Sequence, residues 1–542
     1  MQTRRARPGI AFGHPIAFYA GSAAIAGGVL LHLPMFISAS GMGYRLAGMP
    51  ISPEMLVGMG LIVCGLVAAL YGLYPSAEMR RAQRTDEVVS VAGLDNVPLN
   101  TAQWALVGVL AVALIVDVMK PATLGFVVPG MIKEYHITKA VVAWLPLVAL
   151  LGTTIGSFTW GWLGDRVGRR ATILLAALLF IGTAICGAMP GFYWNVFMCF
   201  LMGLSAGGLL PIAFSLLSEF VPARHRAALV VLLAGLGTAG GYLAASGAAS
   251  LLEPTFGWRI MWFLNLPTGV LLIVLNHYIP ESPRYLAVNG RFEEAKAVLA
   301  HFGAQLLRGD QGALRKEWDR ERSVRTGFAP LFKQPYVPQT AAIGLYGLAW
   351  GLVNFGFLLW LPTNLRLAGF GVGASDAILA KSALLAIPGA LLVAWLYSRW
   401  STKGTMIVVG AFTGISLLAL SLFAPVALHN SILLVGLTVA LLIFSSGMTS
   451  VLSPYSAEVY PTRLRATGSG FAAGSGKFGG MAGQGANIAH LAPGLGASGL
   501  IVAAPVLLAV LLLAGVGIET RGRRLEEIQA STAKPAPAGA GQ

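Results

Sequence analysis

Three charged residues stand in stretches that are otherwise almost wholly apolar: Asp117, Lys120 and Lys477. An ionised side chain in hydrocarbon costs from about 2.5 to over 10 kcal/mol, so each marks a place where the charge is used. A carboxylate there can take up and release a proton, and an ammonium can hold an anion. Asp117 and Lys120 are three positions apart, which puts them on one face of a helix. They can pair when no anion is present. An anion competing for Lys120 would leave Asp117 to take the proton. The competing reading is a permanent pair that only neutralises itself. Pro121 follows and removes a backbone hydrogen bond, which favours a kink at that level. Lys477 lies twelve residues beyond Arg465. That is about 18 Å of helix, near the middle of a hydrocarbon layer about 30 Å thick. Asn354, Gln484 and Asn487 place amides in other apolar stretches, where interhelical hydrogen bonds are their simplest use. Trp350 opens an aromatic stripe with Phe355, Phe357 and Trp360. Such a stripe suits packing or an interface belt, and it can also stack on an aromatic ligand.

The elements that carry these residues follow from composition. Of 542 residues, 56% are hydrophobic and only 11% charged, with a mean hydropathy of +0.73. That leaves too little charge to cover a water-soluble surface, so the chain is read as an all-α polytopic membrane protein. A net charge of +15 would suggest nucleic acid in a soluble chain. Here it suits loops facing anionic lipid, and no nucleic-acid partner is expected. Cys64, Cys186 and Cys199 all fall in apolar stretches and imply no disulfide framework. The eight histidines are scattered without metal-ligand spacing. With no metal motif and no nucleophile–base set, neither an enzyme nor a cofactor is expected.

Fourteen spans are expected. Two, at about 10–36 and 53–74, precede a polar linker that carries Arg80, Arg81 and Arg84. The first could be a cleaved signal peptide, but its apolar run exceeds the usual 7–15 residues, which favours a retained helix. Twelve more follow at about 103–128, 141–163, 171–189, 193–219, 227–250, 260–279, 340–362, 377–397, 405–424, 431–456, 467–491 and 496–518. With the amino terminus inside, 29 of the 37 Lys and Arg fall in cytoplasmic segments and five outside, at Arg45, Lys133, Lys139, Arg259 and Arg366. A wrong span count would scramble that asymmetry, so both termini are expected in the cytoplasm. The organisation expected is a two-helix extension and linker over 1–100, a bundle over 101–280, a cytoplasmic segment over 281–338, a second bundle over 339–518 and a tail over 519–542. In 281–338, Phe292, Ala295, Val298, Leu299 and Phe302 recur at helical spacing, which suits a surface helix.

The chain repeats itself at an offset of 239: Glu219, Pro222, Arg224, Arg226 and Ala227 recur as Glu458, Pro461, Arg463, Arg465 and Ala466. Gly235, Gly237, Gly240 and Gly241 keep the same offset to Gly474, Gly476, Gly479 and Gly480. The offset spans six helices, an even number, so the two halves run parallel, as two six-helix repeats. The closely spaced glycines are read as helix-packing surfaces.

One short loop, Gly161-Trp162-Leu163-Gly164-Asp165-Arg166-Val167-Gly168-Arg169-Arg170, joins two of these spans. By residue type alone it is a charged turn that fixes topology, with Asp165 near the positive end of the next helix. Its spacing resembles the signature loop between helices 2 and 3 of the major facilitator superfamily. A worn copy, Leu396 to Lys403, has Ser398 where the aspartate would stand. Pro280-Glu281-Ser282-Pro283-Arg284, Phe256-Gly257-Trp258-Arg259 and Glu519-Thr520-Arg521-Gly522 resemble motifs of the sugar porters and the related metabolite and aromatic acid:proton symporters. The resemblance covers about 103–528 and leaves the first hundred residues as an addition.

This resemblance implies a major facilitator fold with two extra amino-terminal helices and a secondary active transporter working by alternating access. It also implies a cytoplasmic gate of Asp165, Arg166, Arg169, Glu219 and Arg284, with Arg399, Glu458 and Arg465 as the second-half set. Two departures stand out. Cys199 takes the place of an arginine found in helix 4 of many proton-coupled relatives. Asp117 matches the first of two aspartates of the aromatic-acid symporters, while Lys120 replaces the second. The function expected is proton-coupled uptake of a small organic acid, an aromatic one included, at the inner membrane. Asp117 would carry the proton, and Lys120, Lys477, Asn354, Trp350 and Gln484 would bind substrate. Proton-driven efflux of a drug or metabolite is the alternative, weakened because Thr238-Ala239 stands where antiporters have a Gly-Pro pair. A transporter-like sensor is the third reading. The expected partners are substrate, protons and lipid, and the expected working unit is a monomer.

Overall fold

Asn100 starts the longest helix. Its side chain accepts from Gln103 N–H at 3.0 Å while Gln103 bonds back to Asn100 N–H at 2.8 Å, a reciprocal cap that satisfies two otherwise free donors. The helix it opens, Thr101–Tyr135, runs through Pro121 and Pro129. The computed structural model describes residues 13–74, 97–288, 291–304, 328–460, 462–491 and 494–521. The polar linker after 74, the stretch 305–327 and the tail beyond 521 lie outside the described residues.

The main helices, in order, are α1 (Pro15–Leu30), α2 (Pro53–Leu73), α3 (Thr101–Tyr135), α4 (Trp144–Val167), α5 (Arg169–Gly182), α6 (Phe192–Ala206), α7 (Leu209–Phe220), α8 (Ala223–Phe256), α9 (Asn265–Asn276), α10 (Val337–Gly351), α11 (Leu361–Leu367), α12 (Val372–Arg399), α13 (Thr402–Leu422), α14 (Ser431–Val459), α15 (Thr462–Ile488) and α16 (Leu495–Val516). No strand occurs among the described residues. Among the described residues, eleven helical stretches are long and apolar enough to cross a membrane. Three of the fourteen expected spans take another form. The fourth of the twelve later spans breaks at Gly207 and Gly208 into α6 and α7. The sixth is broken before α9, leaving an apolar segment of Ile260–Asn276. The eleventh is the glycine-rich α15, continuous over 27 residues but not apolar enough to stand among the eleven.

The expected pair α1–α2 forms a hairpin held by glycines. A side chain at Gly21 would strike the Gly65 carbonyl, and one at Gly65 the Gly21 carbonyl, so the backbones touch where small residues permit it. The hairpin lies across α5, whose span Arg169–Ala188 is 94% buried. Its connecting loop is fastened to the first half. Leu46 and Ala47 donate backbone N–H groups to Glu134 Oε1 at 2.8 and 3.0 Å, and Glu134 also accepts from Trp258 Nε1 at 2.8 Å and Arg259 Nη2 at 2.8 Å.

Helices α3–α9 and α10–α16 make two like halves. They meet where α8 packs along α12, α4 against α15, and α3 against α11. Gly125 of α3 lies so near the Leu359 carbonyl that a Cβ would collide with it. Between α10 and α11 the chain widens into a π-helical turn over Leu352–Phe357, followed by a tight 3-10 turn over Leu358–Trp360. Such turns are uncommon and gather at functional sites. The expected surface helix is Phe292–His301, with Ala295, Val298 and Leu299 buried.

Candidate functional site

Asp117 and Lys120 are paired, as their spacing on α3 requires. Lys120 Nζ lies 3.1 Å from Asp117 Oδ1, with the two side chains only 1% and 5% exposed. The ammonium also sits 4.0 Å from the centre of the Phe180 ring of α5, where the face of the ring attracts a cation. Lys477, on α15, reaches across to the other half. Its ammonium donates to the Thr153 carbonyl at 3.1 Å and to the Ser157 hydroxyl, both on α4. Ser157 is placed for this by close helix packing, since a Cβ at Gly207 would meet the Thr153 carbonyl and the Ser157 nitrogen.

A cavity of about 40 Å³ lies between the halves, lined by Pro121, Phe126, Tyr242, Asn354 and Phe355 among others. Its wall on the second half is the π-helical turn and the residues just after it. Of the expected binding residues, Asn354 lines this cavity. Asp117, Lys120, Lys477, Trp350 and Gln484 do not. Lys120 turns toward α5 instead. Gln484 is spent within the second half, donating to the Phe355 carbonyl at 2.6 Å and accepting from Trp360 Nε1 at 3.1 Å. Trp350 packs edge-on to Phe355, with ring centres 5.8 Å apart, and its indole N–H finds no hydrogen-bond partner among the described residues.

The expected loop 161–170 is helical, α4 running to Val167 and α5 starting at Arg169, with Gly168 alone at the turn at φ 101°. At that end of the molecule, Glu219 closes α7 against Arg169, and the Ser282 hydroxyl donates to it. Glu281 accepts the backbone N–H of Arg169 at 2.9 Å and of Arg170 at 3.3 Å, capping the positive start of α5. The arrangement recurs in the other half. Thr520 donates to Glu458 at 2.6 Å and Tyr397 to the same carboxylate at 3.1 Å. Glu519 accepts from Thr402 N–H at 3.0 Å and from the Thr402 hydroxyl at 2.6 Å. Arg399 is exposed at the end of α12. The side chains of Asp165, Arg166, Arg284 and Arg465 lie outside the described part of the structure.

The opposite end holds a charge cluster that spacing had not singled out. Arg366, just after the π-turn segment, grips Glu253 of α8 through both oxygens at 2.8 and 2.9 Å. Its Nη2 also meets Asp376 of α12 at 2.9 Å. Glu253 is 6% exposed and Asp376 fully buried. Nearby, Lys139 stands 4.9 Å from the Trp360 ring centre, a second contact from half to half. In the sequence, Arg366 was only one of five basic residues counted outside. Its bond to Glu253 joins residues 113 positions apart, and no local pattern announces such a bond.

Two like halves that face each other across a central cavity, with a different set of polar contacts at each end, define a membrane transporter. The chain belongs to the Major Facilitator Superfamily, whose family model matches residues 109–484. It is 26% identical over 446 residues to the niacin transporter NiaP of Acinetobacter baylyi, covering 81% of this chain and 99% of that protein. It is 29% identical over 404 residues to the 4-hydroxybenzoate transporter PcaK of the same species, covering 72% and 85%. To the gallate transporter of Pseudomonas putida it is 27% identical over 414 residues, covering 74% and 89%. Among solved structures, the xylose transporter XylE of E. coli in a partially occluded inward-open conformation aligns with a TM-score of 0.64 at 16% identity, covering 78% of this chain and all of that one.

Proposed function

We propose that this transporter carries small organic acids, aromatic carboxylates foremost, into the cell together with protons. The observation that carries the reading is a set of charges at mid-membrane: buried Lys120 and half-buried Lys477 against one buried carboxylate, Asp117. A site with a surplus cation favours an anion, and relatives named for niacin, 4-hydroxybenzoate and gallate point to which anions. The cavity of about 40 Å³ is well below the volume of about 150 Å³ that holds a benzene ring in an engineered protein cavity, so an aromatic acid enters as the halves part. Lys477, held by Ser157 and Thr153 across the boundary, gains a carboxylate partner when it is released.

In this reading the protein lies in the inner membrane as fourteen spans, with two additional helices before two six-helix bundles, and works as a monomer. Both termini and the turn between α4 and α5 face the cytoplasm. The Glu253–Arg366–Asp376 cluster then closes the outer side, while Arg169, Glu219, Glu281 and their second-half counterparts brace the inner side. Reporter fusions after residues 85, 310 and 535 would all report cytoplasm. The functional test is uptake of labelled nicotinate, 4-hydroxybenzoate and gallate into right-side-out and inverted vesicles under an imposed pH gradient. Accumulation driven by inward proton flow supports the proposal. Accumulation driven by outward exchange for protons would instead make the protein an efflux antiporter.

A further inference from the structure

Tyr242 is the one cavity-lining phenol. It is 9% exposed, and its hydroxyl finds no hydrogen-bond partner among the described residues. A buried polar group left unpaired costs about 1–3 kcal/mol. The position is therefore expensive unless something enters the cavity to meet it. Around it stand Thr238 one turn back on the same helix, Asn354 from the π-helical turn opposite, and the rings of Phe126 and Phe355. Phe126 lies 5.9 Å from Tyr242, centre to centre, at an angle of 58°. The Thr238 hydroxyl is already committed as a donor to the Ala234 carbonyl at 2.8 Å, so it offers only acceptance. The Tyr242 hydroxyl can donate or accept, and the Asn354 amide can do both at once. The lining thus combines two aromatic rings with two adaptable hydrogen-bonding groups, and no charged residue is part of it.

We infer that this wall is the subsite for the ring end of the substrate, with Tyr242 and Asn354 reading a polar substituent or ring nitrogen remote from the carboxylate. The inference rests on the reading of the protein as an aromatic-acid carrier. The carboxylate itself belongs with Lys120 and Lys477, outside this lining. The two ends of one ligand are then recognised by different chemistry: charge at one end, neutral hydrogen bonding between rings at the other. Asn354 was expected from its type. Tyr242 was not, because a tyrosine in an apolar, glycine-rich stretch reads as packing.

The test compares 4-hydroxybenzoate with benzoate, and nicotinate with benzoate, in wild type and in Tyr242→Phe, which removes only the hydroxyl. The readouts are competition for uptake and ligand-induced thermal stabilisation of the purified protein. The preference of wild type for the ring that carries the polar group is expected to fall about tenfold in Tyr242→Phe, the worth of about 1.4 kcal/mol. Asn354→Leu is expected to erode the same ratio. If absolute uptake falls but the ratio holds in both variants, the residues only support packing and the inference is overturned. If wild type neither carries nor is stabilised by any aromatic acid, the functional reading fails, and this inference fails with it.

Discussion

Glu281 and Glu519 perform the same task in opposite halves: each accepts backbone N–H from the first residues of a helix, Arg169 and Arg170 in one half and Thr402 in the other. The hydroxyl after each completes the pattern, Ser282 on Glu219 and Thr520 on Glu458. The internal repeat therefore extends beyond glycines and arginines to a pair of capped turns. Each ties the end of one helix to the start of another and to the segment leaving the bundle.

For Glu519, burial pushes the carboxyl up, but hydrogen bonds from Ser401 and Thr402 outweigh it and hold the carboxyl below its usual value of 4.5. A depressed carboxylate stabilises the fold above the unfolded value and loses that contribution as pH falls through the folded one. Glu519→Gln is expected to cost about 1 kcal/mol at neutral pH, the usual worth of a cap. It should also flatten the loss of thermal stability on acidification below about pH 4.5. Melting curves of wild type and variant between pH 3.5 and 7 read both effects, and parallel curves would deny Glu519 this role.

Arg169 and Glu219 are joined at the end of α7, with 19% and 17% of their side chains exposed. Arg169→Ala and Glu219→Gln are expected to slow transport severalfold while leaving the melting temperature within a few degrees. The double variant should be little worse than either single one, since both remove one interaction. Asp165→Asn is expected to fall in the same class. Thiol accessibility in the outer half should drop in all of them as the outward-open population shrinks. Additive losses would mean that the two residues act separately.

The proposed function assigns coupling to Asp117 and anion binding to Lys120, and mutation separates the two. Asp117→Asn is expected to bind and exchange substrate but to lose accumulation driven by a pH gradient. Lys120→Ala should weaken anion binding more than tenfold. The reading predicts proton uptake by purified wild type on substrate addition in weak buffer, absent in Asp117→Asn. Normal accumulation by Asp117→Asn with an unchanged proton ratio would remove Asp117 from the mechanism.

Glu253 belongs to one half, whereas Arg366 and Asp376 belong to the other. When the halves part at that end, Glu253 leaves alone and Arg366 keeps Asp376. Removing one partner of a buried pair costs about 3–5 kcal/mol, spent here on only one of the two states. Glu253→Gln is expected to favour opening at this end, and Asp376→Asn, by freeing Arg366 for Glu253, to favour closure. Labelling of an Ala122→Cys reporter from that side, in a Cys64→Ser background, should rise in the first and fall in the second. Changes of the same sign would mean that the cluster merely stabilises the fold.

Much of this was legible in the sequence because it is local. Asp117 and Lys120 are one helical turn apart, the 161–170 motif is contiguous, and the repeat keeps one offset. Their helix, end of the molecule and half could be read from spacing alone. What spacing does not carry is the partner at long range. Arg366 was counted for its sign, yet its bond to Glu253, 113 positions away, appears only when the halves are brought together. Lys120 was expected to bind substrate, but it lies against Phe180 of α5 and outside the cavity lining. The π-helical turn at Leu352–Phe357 adds one residue per turn, shifting which side chains meet the cavity, and nothing in its composition marks it.

The hairpin that covers α5 makes the two halves unequal in girth. The first half carries α1 and α2 on its flank, clamped through Glu134 to the loop at Leu46 and Ala47. A broader body meets more viscous drag in a bilayer than a narrower one. In the proposed opening and closing of the halves, the larger part of the travel would then fall to the half built from α10–α16, and the lipids that yield would chiefly be those around its rim.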